Sequence, residues 1–371
     1  MSPTSPLPRL ASSPGAAEAV ARVVRPEIRA LSAYAVAKAQ GMVKLDAMEN
    51  PYPLPSRVRA RLDAALGGVA VNRYPDGPGD APRAALRRAL AVPEGLDVLL
   101  GNGSDELIQI VVTALARPGA AVLAPEPSFV MYARSALLAG MRFVGVPLAC
   151  DFSLDRAAML SAIERERPAV AFIAYPNNPT GNLFARGDLD AVLDAAPGLV
   201  VVDEAYYAFS DHTFLPEVAR RSNLLLLRTV SKIGMAGMRL GYAIAAPEWI
   251  AELDKVRPPY NVNAFTQAAA VELLTDTDWI ADQARAIRFE RSRLETALGR
   301  LAGVCVLPSQ ANFVLARVPD ANAAFARLLG RGILVKNLHG WHPLLANCLR
   351  ITVGTPQEND ALLGAFAEAR R

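Results

Sequence analysis

Two neighbouring stretches decide the fold, GLVVVDEAYY (198–207) and NLLLLRTVSK (223–232), each a short apolar run that ends in polar or charged residues. The same pattern recurs in four other runs, at residues 96–103, 120–127, 169–179 and 240–247. Helix-like patterns separate them, for example at 104–116 and 128–140. Strands that alternate with helices predict an α/β fold with a mostly parallel sheet. Because the runs are apolar throughout, we expect helices on both faces of that sheet.

The pattern changes near Trp279, where a long charged helix with an Ala/Leu/Ile stripe begins. Short strand-like segments follow it and flank a helix at about 321–330, which indicates a smaller α+β domain. We therefore predict an N-terminal segment that packs with the small domain, a large domain that carries the sheet, and a small C-terminal domain, with boundaries at 1–49, 50–275 and 276–371.

The composition excludes several classes of protein. With 52% hydrophobic and 20% charged residues, the 371-residue chain is not of the disordered type. A net charge of +3 gives no electrostatic reason to expect nucleic acid or an acidic membrane surface as partner. No apolar run approaches the ~18 residues of a membrane span. Three scattered cysteines predict no disulfide framework and a cytoplasmic location.

No metal site is expected either. His339 and His342 are the only closely spaced histidines, and no acid or cysteine stands near them.

The lysine content carries more information. Of the 39 basic residues only five are lysines and 34 are arginines, so a lysine in an apolar setting is favoured for its amine chemistry.

Lys232 is such a lysine. It directly follows an apolar strand, in a glycine-containing loop with hydroxyl groups at Thr229 and Ser231. A buried lysine near another cation has a lowered pKa and becomes a nucleophile, although a surface lysine is the alternative. Asp203 ends another apolar run, where a carboxylate needs a cationic partner or serves as a helix N-cap.

Two further strand ends carry polar groups. The turn Gly101–Asp105 precedes a predicted helix, and its N–H groups could bind a phosphate; an ordinary N-cap at Ser104 or Asp105 is the alternative. In PNNPTG (176–181) two prolines hold Asn178 on a rigid loop. Ligands bind at the carboxyl ends of parallel strands. This set of an amine, a carboxylate, an amide, the phenol of Tyr206 shortly after Asp203 and an anion cradle matches the needs of pyridoxal phosphate.

Nine motifs then identify the family. From about Pro26 onward the chain resembles the fold-type-I pyridoxal-phosphate aminotransferases, and within them the histidinol-phosphate branch. The motifs are KLDAMENPYPLP (44–55), NRYPDG (72–77), GNGSDELI (101–108), PEPSFVMY (125–132), YPNNPTG (175–181), VDEAYYAF (202–209), RTVSKIGMAGMRLGY (228–242), RPPYNVN (257–263) and CLRITVG (348–354).

The resemblance implies a role for each matching residue. Lys232 would carry the cofactor covalently, and Asp203 would pair with its ring nitrogen. The ring itself would meet Phe129 on one face and the side chains of Asn178 and Tyr206 at its oxygen. The phosphate would be bound by Gly103, Ser104, Asp105, Thr229, Ser231 and Arg239, and by Tyr74 from the neighbouring subunit of a homodimer with shared sites.

For the substrate, the resemblance implies that Arg350 binds its anionic end, with Tyr34 and Lys336 nearby. Three positions depart from the family pattern. Phe129 stands where many relatives have Tyr, Met48 where many have Asn, and Lys336 where many have a second anion-binding Arg. A lysine can still meet a phosphate, but without bidentate geometry.

The implied reaction interconverts histidinol phosphate and 2-oxoglutarate with imidazole acetol phosphate and L-glutamate, a step of histidine biosynthesis. An aromatic amino-acid aminotransferase or a phosphothreonine decarboxylase of the same fold is the alternative. A non-catalytic regulatory domain that binds the cofactor is a more distant one, because the 43 residues before Lys44 contain no basic helix-turn-helix pattern.

Overall fold

The computed structural model describes residues 15–33 and 36–367, which form two compact units divided between Lys38 and Ala39. In the first unit the helices are α1 (Ala16–Val23) and α2 (Pro26–Arg29). Tyr34, a predicted substrate contact, lies outside the described residues. Within the described part of the chain no helix is long and apolar enough to cross a membrane.

The strands of the second unit form two sheets. They are β1 (Val43–Leu45), β2 (Asp97–Gly101), β3 (Ala121–Glu126), β4 (Arg142–Pro147), β5 (Val170–Ala174), β6 (Leu199–Asp203), β7 (Leu224–Thr229), β8 (Gly241–Ala245), β9 (Cys305–Leu307), β10 (Phe313–Arg317), β11 (Ile333–Asn337) and β12 (Cys348–Thr352).

Helices connect most of these strands. They are α3 (Ser56–Gly67), α4 (Asp80–Ala89), α5 (Ser104–Leu115), α6 (Met131–Leu138), α7 (Arg156–Glu166), α8 (Arg186–Ala195), α9 (Leu215–Val218), α10 (Pro247–Asp254), α11 (Ala264–Leu273), α12 (Asp278–Gly299), α13 (Ala321–Gly330) and α14 (Pro356–Ala367). Helix α6 is shorter than the 128–140 pattern predicted, since it begins at Met131.

The larger sheet has the order β2-β8-β7-β6-β5-β3-β4, and only the pairings of β8 are antiparallel. The predicted α/β fold with a mostly parallel sheet is therefore confirmed. Along β6 the side chains alternate between two hydrophobic clusters, Val200 and Val202 in one and Leu199 and Val201 in the other. Successive strand residues point to opposite faces, so a strand covered on both sides is apolar throughout.

The smaller sheet has the order β1-β11-β12-β10-β9 and packs its own apolar cluster, which includes Leu45, Leu294 and Ile351. Strand β1 pairs in parallel with β11, although it precedes the larger sheet in sequence. Helix α13 occupies the predicted 321–330. The domain boundaries at 49/50 and 275/276 remain a prediction.

Candidate active site

Lys232 lies just beyond the end of β7, in a short 3-10 turn over Ser231–Ile233. Its Nζ donates a hydrogen bond to the carbonyl oxygen of Ala47 at 3.2 Å. Burial, and after it the charge of Arg350, lower the pKa of Lys232 to about 8. The amine is therefore far more often uncharged near neutral pH than a solvated lysine is.

Asp203 ends β6 and is paired in register with Leu227 of β7, so it lies at the same edge of the sheet as Lys232. Its side chain is buried. The hydroxyl of Tyr132 donates to Oδ2 at 2.7 Å and the N–H of Ala205 donates to Oδ1 at 3.1 Å. Burial raises the pKa of Asp203 to about 6, which leaves it mostly ionised at neutral pH.

An anion cradle forms at the start of α5. Gly103 is the N-cap, with φ at +83°, and no side chain caps the helix, so neither Ser104 nor Asp105 has the capping role considered above. The first-turn N–H groups are thus available to a ligand. From β7 and the loop after it, the Thr229 hydroxyl donates to Ser231 Oγ at 3.0 Å, and Arg239 Nη1 donates to the same oxygen at 3.2 Å.

Two glycines let these segments approach closely. A Cβ on Gly103 would lie 2.6 Å from Arg239 Nη2, and a Cβ on Gly241 would lie 2.4 Å from the backbone nitrogen of Ser104. Asp105 lies among the same charges: burial raises its pKa, whereas Arg239 and Lys232 lower it. The cradle is therefore cationic overall, with an acid that offsets part of its charge.

The smaller sheet contributes a pair of cationic residues. Lys336 and Arg350 are directly opposite each other on β11 and β12. Arg350 Nη1 donates to Asn178 Oδ1 at 2.6 Å, and Nη2 donates to the carbonyl oxygen of Asp46 at 3.0 Å. Lys336 Nζ lies 4.9 Å from the ring centroid of Trp341. Burial, followed by Arg350, lowers the pKa of Lys336.

Aromatic side chains surround the same region. The Phe129 ring meets the Tyr132 ring edge to face, with centroids 5.6 Å apart. Tyr206 is buried and contacts Phe313 in the same manner at 5.1 Å, while the Arg350 guanidinium lies 5.6 Å from the Phe313 centroid. Tyr74, by contrast, lies on the surface, 81% exposed, with its ring stacked on Tyr260.

Met48 occupies a special backbone position. Its φ is +54°, in the left-handed region that Asn and Gly adopt more easily than Met. Its N–H donates to Thr352 Oγ1 at 2.9 Å and its carbonyl accepts from Asn312 Nδ2 at 2.9 Å. The backbone contacts of this turn therefore hold the strained position, although the side chain differs from that of many relatives.

Sequence reasoning missed several contributors to the site. The sequence patterns predict no role for Tyr132, although it stands three residues after Phe129 and a buried tyrosine hydroxyl needs a partner. The buried ion pair of Glu204 and Arg228, with Oε2 and Nη2 2.7 Å apart, fixes the segment after Asp203. No sequence pattern predicts a role for Trp341, because only the folded loop brings its ring near Lys336.

The arrangement has a definite chemical capacity. An amine of lowered pKa, a buried carboxylate and an anion cradle lie at one edge of the larger sheet. From the smaller sheet Arg350 contacts Asn178 there, and Lys336 lies opposite Arg350. Such a site can bind a planar ligand that carries a phosphate, a carbonyl and a ring nitrogen, together with an anionic second ligand.

Comparison with known proteins gives the family. The chain matches the family described as aminotransferase class I and II over residues 40–366. It is 56% identical to histidinol-phosphate aminotransferase 1 of Ralstonia nicotianae, covering 95% of this chain and 96% of that one. It is 57% identical to the histidinol-phosphate aminotransferase of Chromobacterium violaceum, covering 94% and 98%.

A solved structure is similar in three dimensions. The histidinol-phosphate aminotransferase of Sinorhizobium meliloti, determined in complex with pyridoxal 5'-phosphate, superposes with a TM-score of 0.83 at 27% identity. The match covers 93% of this chain and 97% of the other.

Proposed function

This chain belongs to the class I and II aminotransferases, and from that premise we propose that it is a pyridoxal-phosphate-dependent histidinol-phosphate aminotransferase. It interconverts histidinol phosphate and 2-oxoglutarate with imidazole acetol phosphate and L-glutamate, in histidine biosynthesis. The observation that carries the proposal is the 57% identity to a histidinol-phosphate aminotransferase over 98% of that protein's length. The free thiols of Cys150, Cys305 and Cys348 agree with a cytoplasmic location.

The residues present fit the cofactor. The uncapped start of α5, beside Ser231 and Arg239, suits a phosphate dianion. Asp105 would contribute its backbone N–H there, since its carboxylate faces cations instead. Lys232 has an amine of lowered pKa, and its Nζ makes one described hydrogen bond, to a backbone carbonyl. Bound pyridoxal phosphate supplies an electron sink for the bonds of the substrate's amine-bearing carbon.

The chain's own residues would act around that group. Asp203, buried and mostly ionised, pairs with the ring nitrogen and keeps it protonated. Phe129 packs against the ring face, and Asn178 and Tyr206 meet the ring oxygen. Lys232 would accept a proton at Nζ and return it, which a pKa of about 8 permits in both directions.

Arg350 and Lys336 would bind the anionic end of each substrate. Arg350 is already oriented by Asn178 and by the Asp46 carbonyl, so its guanidinium needs little reordering when an anion arrives. Histidinol phosphate presents a phosphate and glutamate presents carboxylates, so one cationic site serves both half-reactions. The two substrates would occupy the site in turn, one in each half-reaction, which predicts ping-pong kinetics.

A titration of the half-reaction with different amino donors tests the function. The loaded enzyme is mixed separately with histidinol phosphate, glutamate, phenylalanine and threonine phosphate, and the visible absorbance of the cofactor is followed. We expect histidinol phosphate and glutamate to change this absorbance fastest. The Lys232→Ala variant should show no change with any donor. Faster turnover of phenylalanine, or release of carbon dioxide from threonine phosphate, would identify one of the two alternative enzymes and contradict the proposal.

We further propose a homodimer with shared sites, in which Tyr74 reaches the cofactor phosphate of the other subunit. Tyr74 lines a surface cavity of about 310 Å³ with Val69, Pro82 and Val271, and Val71 nearby is 75% exposed. Exposed apolar surface of this kind is typical of an interface.

Mixing two variants tests the sharing. Tyr74→Phe and Lys232→Ala chains are each poor, but a heterodimer contains one site with both residues intact. Random assortment makes about a quarter of all sites intact, so activity should rise on mixing. Strictly additive activity, with heterodimers shown to be present, would mean that each subunit builds its site alone.

A further inference from the structure

Tyr132 lies between two residues that the proposed function places against the cofactor ring. It stands in the first turn of α6, and its side chain is only 1% exposed. Its hydroxyl donates to Asp203 Oδ2 at 2.7 Å. Its ring meets Phe129 edge to face, with centroids 5.6 Å apart. One buried side chain thus contacts both the carboxylate and the aromatic ring of the site.

Phe172 holds the Tyr132 ring in place. The two rings stack with centroids 4.7 Å apart and planes 9° from parallel. Phe172 belongs to β5, which pairs directly with β6, the strand that ends at Asp203. Because packing fixes the ring, the position of the hydroxyl is fixed as well, and the hydrogen bond sets the orientation of the carboxylate.

The other groups that face Asp203 act in mixed directions. The N–H of Ala205 favours the ionised carboxylate, as the Tyr132 hydroxyl does, whereas Asp105 on α5 and the adjacent Glu204 disfavour it. Burial opposes ionisation more strongly than any of them. Among these groups, the Tyr132 hydroxyl is the side-chain donor that counteracts the burial of Asp203.

We propose that Tyr132 is a positioning residue of the aminotransferase reaction, whose hydroxyl keeps the Asp203 carboxylate ionised and aimed at the nitrogen of the cofactor ring. The inference rests on the proposed function, because it requires Asp203 to pair with that nitrogen. Tyr132 acts through Asp203 and not on the substrate.

Tyr132→Phe tests the proposal, since it removes the hydroxyl and keeps the ring against Phe172. In the loaded enzyme we expect the pH midpoint of the cofactor's visible absorbance change to rise by about half a pH unit or more. When Asp203 is less ionised, the ring nitrogen beside it carries less positive charge. The remaining titratable group of the bound cofactor then holds its proton more tightly, so the pH midpoint rises. We also expect kcat to fall about tenfold, with KM for glutamate within about twofold of the parent value.

Three further variants separate positioning from simple packing. Asp203→Asn should move the midpoint in the same direction and further. Phe172→Leu keeps the hydroxyl but loosens the ring, so it should give a smaller shift of the same sign. Tyr175→Phe is the matched control: Tyr175 is also buried, but its ring lies against Phe214, and the midpoint should not move. A loss of packing alone would lower the melting temperature without moving the midpoint.

The outcomes distinguish this inference from the proposed function. An active parent in which Asp203→Asn moves the midpoint but Tyr132→Phe and Phe172→Leu do not would overturn the role of Tyr132 alone. If Asp203→Asn also left the midpoint unchanged, the pairing of Asp203 with the ring would be wrong, and the role of Tyr132 with it. A parent without transamination activity would overturn the proposed function itself.

Discussion

At the edge of the larger sheet lie Asp203, which is buried, and Lys232, which is partly exposed, whereas the smaller sheet offers the partly exposed pair of Lys336 and Arg350. At the first edge, burial shifts the pKa of both groups toward neutrality, to about 6 for Asp203 and about 8 for Lys232. At the second edge two cations stand directly opposite each other, an arrangement that destabilises a sheet by itself.

The difference separates two kinds of chemistry. Groups that must gain and lose a proton lie where desolvation moves their pKa values toward the working pH. Groups that hold an anion form a pair of partly exposed cations, one of them a guanidinium that stays charged, so that two different substrates can exchange there. The repulsion between Lys336 and Arg350 is then relieved whenever an anion binds.

The largest expected effect lies at the edge of the larger sheet. Lys232→Ala removes both the covalent attachment and the proton carrier, so we expect cofactor bound without a covalent link and kcat lowered by about 10⁴ or more. Borohydride reduction of the parent enzyme, followed by peptide mapping, should label Lys232. A label on Lys44 or Lys336 instead would refute the assignment.

The same lysine makes a prediction about pH. Covalent attachment requires the uncharged amine, so the rate at which added pyridoxal phosphate attaches to the cofactor-free chain should rise with pH and level off above about pH 8. A solvated lysine, with its pKa near 10.5, would show a rate that still increases at pH 9. Stopped-flow absorbance between pH 6.5 and 9.5 distinguishes these two profiles.

A smaller effect is expected for the carboxylate at that edge. Asp203→Asn keeps the shape of the side chain and removes its charge, so the cofactor should still bind while kcat falls about 10²-fold, equivalent to ~3 kcal/mol of lost electrostatic stabilisation. Near-normal turnover, with full occupancy measured by absorbance, would contradict the role of Asp203.

The two edges also differed in how well the sequence predicted them. Lys232 and Asp203 directly follow apolar strands, and parallel strands bring their carboxyl ends together, so local pattern predicted that edge. The pairing of Lys336 with Arg350 depends on β11 and β12 meeting in one register, and Trp341 reaches Lys336 through a loop. Strand β1 joins the smaller sheet across nearly 300 residues of sequence, which no local pattern encodes.

At the second edge, the larger effect is expected for Arg350. Arg350→Gln removes a charged contact to both substrates, so kcat/KM should fall in both half-reactions by about 30- to 150-fold, or ~2–3 kcal/mol. Arg317→Gln is the matched control, since Arg317 lies exposed on the neighbouring strand β10. Loss confined to one half-reaction would mean that the two substrates use separate anion sites.

The smallest effect, and the most selective, is expected for Lys336. Its amine adds a second positive charge beside Arg350, and a dianionic phosphate gains more from that charge than a monoanionic carboxylate does. Because Lys336 is only partly buried, solvent screens the contact, and Lys336→Met should raise KM for histidinol phosphate about 5- to 20-fold. KM for glutamate should rise less.

Two further variants serve as comparisons for the Lys336→Met measurement. Lys255→Met removes an exposed lysine paired with Glu252 and should change neither KM. Trp341→Leu leaves the Lys336 charge but removes the ring 4.9 Å from it, so it should give a weaker version of the same selectivity. If Lys336→Met leaves KM for histidinol phosphate within about twofold of the parent, the second charge plays no part in selecting the phosphate. Arg350 would then bind both anions with the help of Asn178 and the Asp46 carbonyl, and the contrast between the two edges would rest on a single arginine.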